Sequence, residues 1–458
     1  MENIDDSENG PEIGENLKSQ KKFSRNSFQA FLFFWTGQLF SILGSNIVSF
    51  VIIWTITELA PNNNSVLSIA AFLAFVPYVL FSPIAGVIAD KWNKKYIILI
   101  SDSLQAALTL GYIIIFALDG LQIWHIYVIS FLRGASAAFH EPVSFSVLSI
   151  MTPKDKLSRM NGMNTLFSSM VRIIAPVIAG FLMIYIDMVW VLSIDIITFL
   201  IALVPILYIA FPNVLESSKE SPTEDELKEK SDSGGDRKSS IWDNMKEGFH
   251  TIRNIPGLMM IMLMATLSNF FFQPLDALLP NFIRVSHSGG QQELAYFLGF
   301  LNLGVFLGAI IMTVKKHWKH MKMTIIIGLF SSSVGYLALG LVPPGNFTAL
   351  YIVAAFFLLM NPIINGLFQT MIVFMIPPEK MGRIISVLIT MSAIASPLGL
   401  ILAGPAADLL GSIPLLYIIC GILSALVVPL TMFRKPVLGM MKEGQRLQDE
   451  AMNAKTEE

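Results

Sequence analysis

Long apolar runs alternate with short polar interruptions along most of the chain. Twelve runs stand out, at residues 28–57, 65–89, 96–118, 124–149, 160–186, 189–210, 257–283, 294–314, 323–342, 348–375, 384–408 and 413–433. Each reaches the roughly 20 residues that a helix needs to cross ~30 Å of hydrocarbon. The runs at 348–375 and 384–408 are interrupted by Pro and Gly. Helix bundles tolerate such interruptions where neighbours satisfy the freed backbone groups. One polar stretch is long: residues 211–256 separate six runs from six. Its first part, 216–240, is Ser, Glu, Lys and Asp with Gly234-Gly235, too polar to fold by itself, and is expected to be a linker. Its second part places Ile241, Trp242, Met245, Phe249 and Ile252 at helical spacing. That pattern predicts a short amphipathic helix on the membrane surface. The organisation expected is therefore a disordered polar tail (1–27), a six-helix half (28–210), the linker (211–256), a second half (257–433) and a tail (434–458).

Composition agrees with a membrane chain. Of 458 residues, 54% are hydrophobic and only 14% charged, against about 25% charged in soluble proteins. The net charge of −2 says little, and nothing in it suggests a nucleic-acid partner. The distribution of charge says more. With the N-terminus inside, 28 of the 31 Lys and Arg fall in inner loops and tails. The exceptions are Arg133 and Arg172 within runs and Arg284 at an outer edge. The positive-inside rule then places both termini in the cytoplasm. The N-terminus lacks the short apolar core and cleavage site of a signal peptide. The single cysteine, Cys420, excludes an intrachain disulfide and a paired-Cys metal site. No Gly-rich phosphate loop, His-Glu-x-x-His or Gly-x-Ser-x-Gly occurs. The expectation is neither an enzyme nor an ATP-driven pump, with no cofactor and no metal.

The halves echo each other. Pro153 and Arg159 follow the fourth run as Pro378 and Arg383 follow the tenth, and Ala175-Pro176 in the fifth matches Ser396-Pro397 in the eleventh. A parallel repeat of this kind places a binding site near the midplane, between the halves.

The loop at 86–95 is the densest signal. Gly86-x-x-x-Asp90-Lys91-x-Asn93-Lys94-Lys95 resembles the loop between the second and third spans of the major facilitator superfamily. That pattern is Gly, three residues, Asp, a base, any residue, Gly and two bases. Asn93 stands where the second Gly would be, and Asn is the non-Gly residue that best tolerates a left-handed turn. The equivalent loop of the second half keeps Lys315, Lys316, Lys319 and Lys322 but lacks the acid. Plain topology charge is the alternative reading of this loop. Leu132-Arg133-Gly134 resembles the embedded Arg of that family's drug–proton antiporters. The stretch Arg172-x-x-Ala175-Pro176-x-x-Ala179-Gly180 resembles the antiporter signature, with Ala175 in place of a Gly. Small residues there also suit ordinary close helix packing. Gly37-Gln38 and Ser41-x-x-Gly44-Ser45 are similar to the macrolide-efflux branch. The resemblance implies an all-α membrane protein, with twelve transmembrane helices in two pseudo-symmetric six-helix bundles. It also implies that the 86–95 loop latches the halves when the transporter faces outward. A physical route is Asp90 capping the N-terminus of the eleventh span, where a carboxylate is stabilised by the helix dipole.

Ionisable residues inside spans cost ~2.5–3.5 kcal/mol at the centre, so each is a functional candidate. Asp102 and Asp408 read as structural partners of loop lysines, and Asp195 as a cap or a paired group. Arg133 and His140 are seven apart and share a face; Glu141 lies about 80° round the helix from Arg133. An apolar cavity raises a carboxyl pKa and a nearby Arg lowers it. Glu141 is therefore the first candidate for a proton carrier, with His140 as relay, and a buried structural pair is the alternative. Pro142 removes a donor beside it and predicts a bend. Asp276 is the second candidate. Ala265, Asn269, Phe272 and Asp276 form one helical stripe, suited to a lipophilic cation or to packing. Gln38, Asn46, Asn269, Phe272 and Asp276 are the expected cavity residues. The functional expectation is proton-coupled efflux of a small lipophilic molecule by a monomer in the bacterial inner membrane. The partners expected are that molecule, protons and membrane lipid. A siderophore, lipid or metabolite exporter, or a non-transporting receptor, are the alternatives.

Overall fold

The computed structural model describes residues 10–209, 249–250, 252–253, 255–315, 318–376 and 378–457. It is helical throughout, with no strand among the described residues. In lipid only helices or closed barrels satisfy every backbone group, and the apolar runs here are of helix length. The first half contains α1 (Gly10–Leu59), α2 (Asn64–Lys91), α3 (Lys94–Ala117), α4 (Ile123–Met151), α5 (Lys154–Tyr185) and α6 (Met188–Tyr208). The second contains α7 (Leu258–Asn281), prolonged by a π turn (Phe282–Ser286), then α8 (Gln291–Val314), α9 (Met321–Leu341), α10 (Phe347–Leu359), α11 (Asn361–Met375), α12 (Pro378–Leu410) and α13 (Ile413–Met432). A last helix, α14 (Lys435–Glu457), follows. Ten segments among the described residues are long and apolar enough to cross a membrane. α4, which carries Arg133, His140 and Glu141, and α12 run beside them and complete twelve spans.

Several expectations change. The tenth run is two helices, broken at Asn361-Pro362, with Pro starting α11 because its missing N–H is harmless in a first turn. The eleventh is not broken: α12 continues through Pro397 and Pro405. α4 likewise continues through Pro142. α1 begins at Gly10, within the segment expected as a disordered tail. Most of the expected linker helix lies outside the described residues, but Ile252 is fully buried among apolar side chains of the second half. The expected C-terminal tail is the helix α14, which buries Val437, Met440 and Met441. Gln445 ties it to α9, accepting from Met321 N at 2.8 Å and donating to Trp318 O at 3.2 Å.

The core has a telling shape. At the end opposite the 86–95 loop, one apolar cluster runs through both halves, from Ile47 and Leu192 to Leu275, Tyr336 and Ala407. At the loop end it separates into two. One, around Phe31, Ile98 and Val147, belongs to the first half. The other, around Met262, Leu367 and Met441, belongs to the second. The halves are thus packed together at the far end and have separate cores at the loop end. Within each half, helices meet where side chains vanish: a Cβ on Gly134 would stand 2.1 Å from Ala74 O of α2. A Cβ on Gly304 would stand 2.0 Å from Ala355 O, the matching contact between α8 and α10. Lipid offers no hydrophobic drive between helices, so such close approach supplies the packing energy.

Candidate functional site

A cavity of about 660 Å³ opens within the first half, among α1, α3, α4 and α5. Its polar wall includes Gln38, Asn46, Asp102, His140, Glu141 and Arg172. Its apolar wall, with Phe31, Trp35 and Leu148, extends toward the loop end. Ser49 also lines a second cavity, about 190 Å³, between α1, α2, α4 and α7. There Arg133 of the first half and Asp276 of the second line the same space.

The residues sort into separate hydrogen-bonded groups. Arg133 does not meet Glu141. Its guanidinium lies 3.8 Å from the Asp195 carboxylate and donates to Thr109 Oγ1 (3.2 Å) and Ser45 O (3.0 Å). Asp195 also accepts from Thr109 Oγ1 at 2.6 Å and Ser45 Oγ at 3.2 Å. α6 can bring Asp195 this close because Gly44 faces it: a Cβ there would lie 2.1 Å from Thr198 Oγ1. Glu141 is exposed within the cavity and accepts from Tyr78 OH at 2.7 Å. Asp102 is not a partner of loop lysines: it is 4% exposed and accepts from Gln38 Nε2 at 3.1 Å. His140 Nε2 lies 3.2 Å from its other oxygen and 3.0 Å from Gln38 Oε1. Asn46 lines the cavity while its own amide donates to Ile42 O.

The expected stripe on α7 divides. Asp276 faces the smaller cavity, whereas Phe272 packs edge-on to Tyr336 and Phe357 inside the second half. Asn269 and Phe272 line neither cavity. Arg172 lines the large cavity. Ala175 and Gly180 are buried, and Gly180 marks a seam between halves: a Cβ there would lie 2.5 Å from Ala295 Cβ of α8. Pro176 is half-buried beside it.

The 86–95 loop holds helix ends. Asn93 is extended (φ −65°), not left-handed, and its side chain caps α3 by accepting from Lys95 N at 2.9 Å. Lys94 Nζ donates to Ala89 O in the last turn of α2. Lys95 Nζ donates to Leu207 O and Ile209 O at the end of α6. Cations suit helix C-termini, whose carbonyls lack partners. A Cβ on Gly86 would meet nothing within 4 Å. The Asp90 and Lys91 side chains lie outside the described residues.

At the far end five hydrogen bonds among the described residues cross between halves. Asp408, read from the sequence as a partner of loop lysines, instead accepts from Asn64 Nδ2 (2.9 Å) and Ser65 Oγ (2.7 Å) at the start of α2. Asn281 donates to Asn64, Arg284 to Thr57 O and Gln291 to Met183 O. Asp408→Ala removes two bonds to a charged, exposed acceptor and should weaken this clasp by about 1–2 kcal/mol. That corresponds to roughly 5–30-fold more of the state open at the far end. Distances between spin labels at Pro61 and Leu409 measure it; an unchanged distribution contradicts the clasp.

Comparison with known proteins agrees with this architecture. The family model of the Major Facilitator Superfamily matches residues 34–400. Macrolide efflux protein A of Streptococcus pyogenes is 26% identical over 381 residues, covering 82% of this chain and 89% of the relative. The multidrug efflux pump Tap of Mycolicibacterium fortuitum is 22% identical over 379 residues, covering 80% and 86%. Among solved structures, a variant of the nucleoside transporter NupG aligns with a TM-score of 0.68 at 11% identity, covering 88% of this chain and all of that one. A bacterial homologue of the lysosomal transporter Spinster, in an inward-facing unoccupied conformation, aligns at 0.58 with 14% identity, covering 93% and 98%.

Proposed function

This chain belongs to the major facilitator superfamily, and from that premise we propose that it exports lipophilic small molecules in exchange for protons. It is a transporter and a multi-pass membrane protein. The observation that carries the reading is the large cavity with an exposed carboxylate, Glu141, on its wall and a shared core sealing the far end. With the Lys- and Arg-rich loop end in the cytoplasm, the cavity faces inward, ready to take cargo from the cell or the inner leaflet. Both termini are then cytoplasmic, and the membrane is that of a bacterial cell, as in the organisms of the relatives. The macrolide and multidrug relatives support a lipophilic cargo. Aromatic Phe31 and Trp35, lining the same cavity as Glu141, suit an apolar molecule with a cationic centre. Protons enter through Glu141, with His140 beside it and Asp276 in the smaller cavity between the halves. Rocking of the halves then opens the far end, and the 86–95 loop latches the loop end.

A second reading has its own support. A Staphylococcus aureus staphyloferrin A transporter is 29% identical over 162 residues, 35% of this chain and 38% of that relative. Arg172 on the cavity wall would suit an anionic cargo of that kind.

Inside-out vesicles separate the two readings. Erythromycin and lipophilic dyes should be taken up only with a proton gradient imposed. Uptake of a carboxylate-rich siderophore with no uptake of erythromycin would favour the second reading.

A further inference from the structure

Two carboxylates are buried in the first half, Asp102 at 4% and Asp195 at 3% exposure, and their surroundings differ. Asp195 stands against Arg133, a cation that does not release its proton in proteins. The two opposite charges offset each other. Among the described residues Asp102 meets no such fixed cation. From α1 it meets the Gln38 amide, and from α4 the His140 ring. On α6 the Asp195 carboxylate is held by Arg133, Thr109 and Ser45. Glu141 and Arg172 line the same cavity from α4 and α5.

The partner of Asp102 is thus itself titratable, so the two groups gain and lose protons as a unit. Holding one proton, the pair is neutral. A second makes it a cation, and loss of the first leaves an uncompensated buried carboxylate, which is costly. Protonation of this unit therefore changes the charge of the site. Access exists too: Gln38, Asp102 and His140 all line the large cavity.

We propose that Asp102, hydrogen-bonded to Gln38 and facing His140, is a proton-binding carboxyl that the transport cycle loads and unloads. It rests on the proton-coupled reading above and adds a second, deeper acid behind Glu141. Loading forms an O–H bond between a proton from cavity water and a lone pair of the Asp102 carboxylate. Unloading breaks that bond, returns the proton to cavity water and leaves the electron pair on oxygen. A cationic cargo beside the unit favours unloading, because it compensates the carboxylate that remains.

Infrared difference spectra of the full chain in liposomes, between about pH 5 and about pH 8, test this without any cargo. The wild type should show a protonated carboxylic C=O band from Asp102 that disappears as pH rises. Asp102→Asn should lose that band, Asp102→Glu should shift it, and Asp408→Asn should keep it. Gln38→Leu removes the donor to the Asp102 carboxylate and should displace the band's midpoint; this variant serves if Asp102→Asn does not fold. A spectrum unchanged in Asp102→Asn, or a midpoint unmoved in Gln38→Leu, overturns the assignment. A titrating Asp102 band together with gradient-independent erythromycin uptake would overturn the exchange reading instead.

Discussion

Glu141→Gln abolishes gradient-driven accumulation and leaves the fold intact. Glutamine has nearly the shape of glutamate, and its amide oxygen can still accept from Tyr78 OH, the bond Glu141 makes at 2.7 Å. The thermal midpoint should therefore move little. What disappears is a group on the cavity wall that binds and releases a proton. Uptake of erythromycin by proteoliposomes under a proton gradient should fall to the level of empty liposomes. Unchanged uptake would remove Glu141 from the coupling machinery.

Arg133→Ala should have the opposite profile: a folding defect first, a transport defect only as its consequence. The substitution leaves Asp195 buried without its cation, retaining only the hydroxyls of Thr109 and Ser45. Removing one partner of a buried pair costs about 3–5 kcal/mol, a large share of the 5–15 kcal/mol that holds a typical domain together. Folded yield in detergent should drop sharply. Arg133→Ala with Asp195→Ala should recover much of it, since no charge is then stranded. Arg133→Lys should fall between, because a single ammonium cannot reach Thr109, Ser45 and Asp195 as the guanidinium fork does. If the double variant is no better than the single one, the pair is not what stabilises this region.

These two contrasting expectations show where sequence reading succeeds and where it stops. Run length and loop charge mark the spans, because lipid imposes one rule on every segment. The Asn361-Pro362 break was legible as a Pro interruption, but α12 carries two prolines and does not break. Pairing across helices is a different matter. Arg133 and Glu141 share a helix in the sequence, yet Arg133 pairs with Asp195 on α6 and Glu141 with Tyr78 on α2. Asp102 and Gln38 are 64 positions apart, and Asp408 and Asn64 are 344 apart. No local period encodes such partners; they follow from which faces the bundle brings together. The helix α14 had a readable signal. Val437, Met440, Met441, Gly444, Gln445 and Gln448 fall on one face at helical spacing. Its low overall hydropathy hid it among tail residues, although a docked surface helix needs only one apolar stripe.

The loop at 86–95 also takes a more definite role. Its lysines close the ends of α2 and α6, and Asn93 starts α3. It is a corner of the first half at the end where the core is divided in two.

The central claim is exchange of a lipophilic cargo for protons. Purified protein in liposomes with an acidic interior tests it most directly, with labelled erythromycin outside and a pH-sensitive dye inside. Erythromycin should accumulate above the level of empty liposomes while the interior becomes less acidic, and collapsing the gradient beforehand with a protonophore should abolish the accumulation. Erythromycin entry at the same rate with and without the gradient, and no accompanying movement of protons, would contradict it.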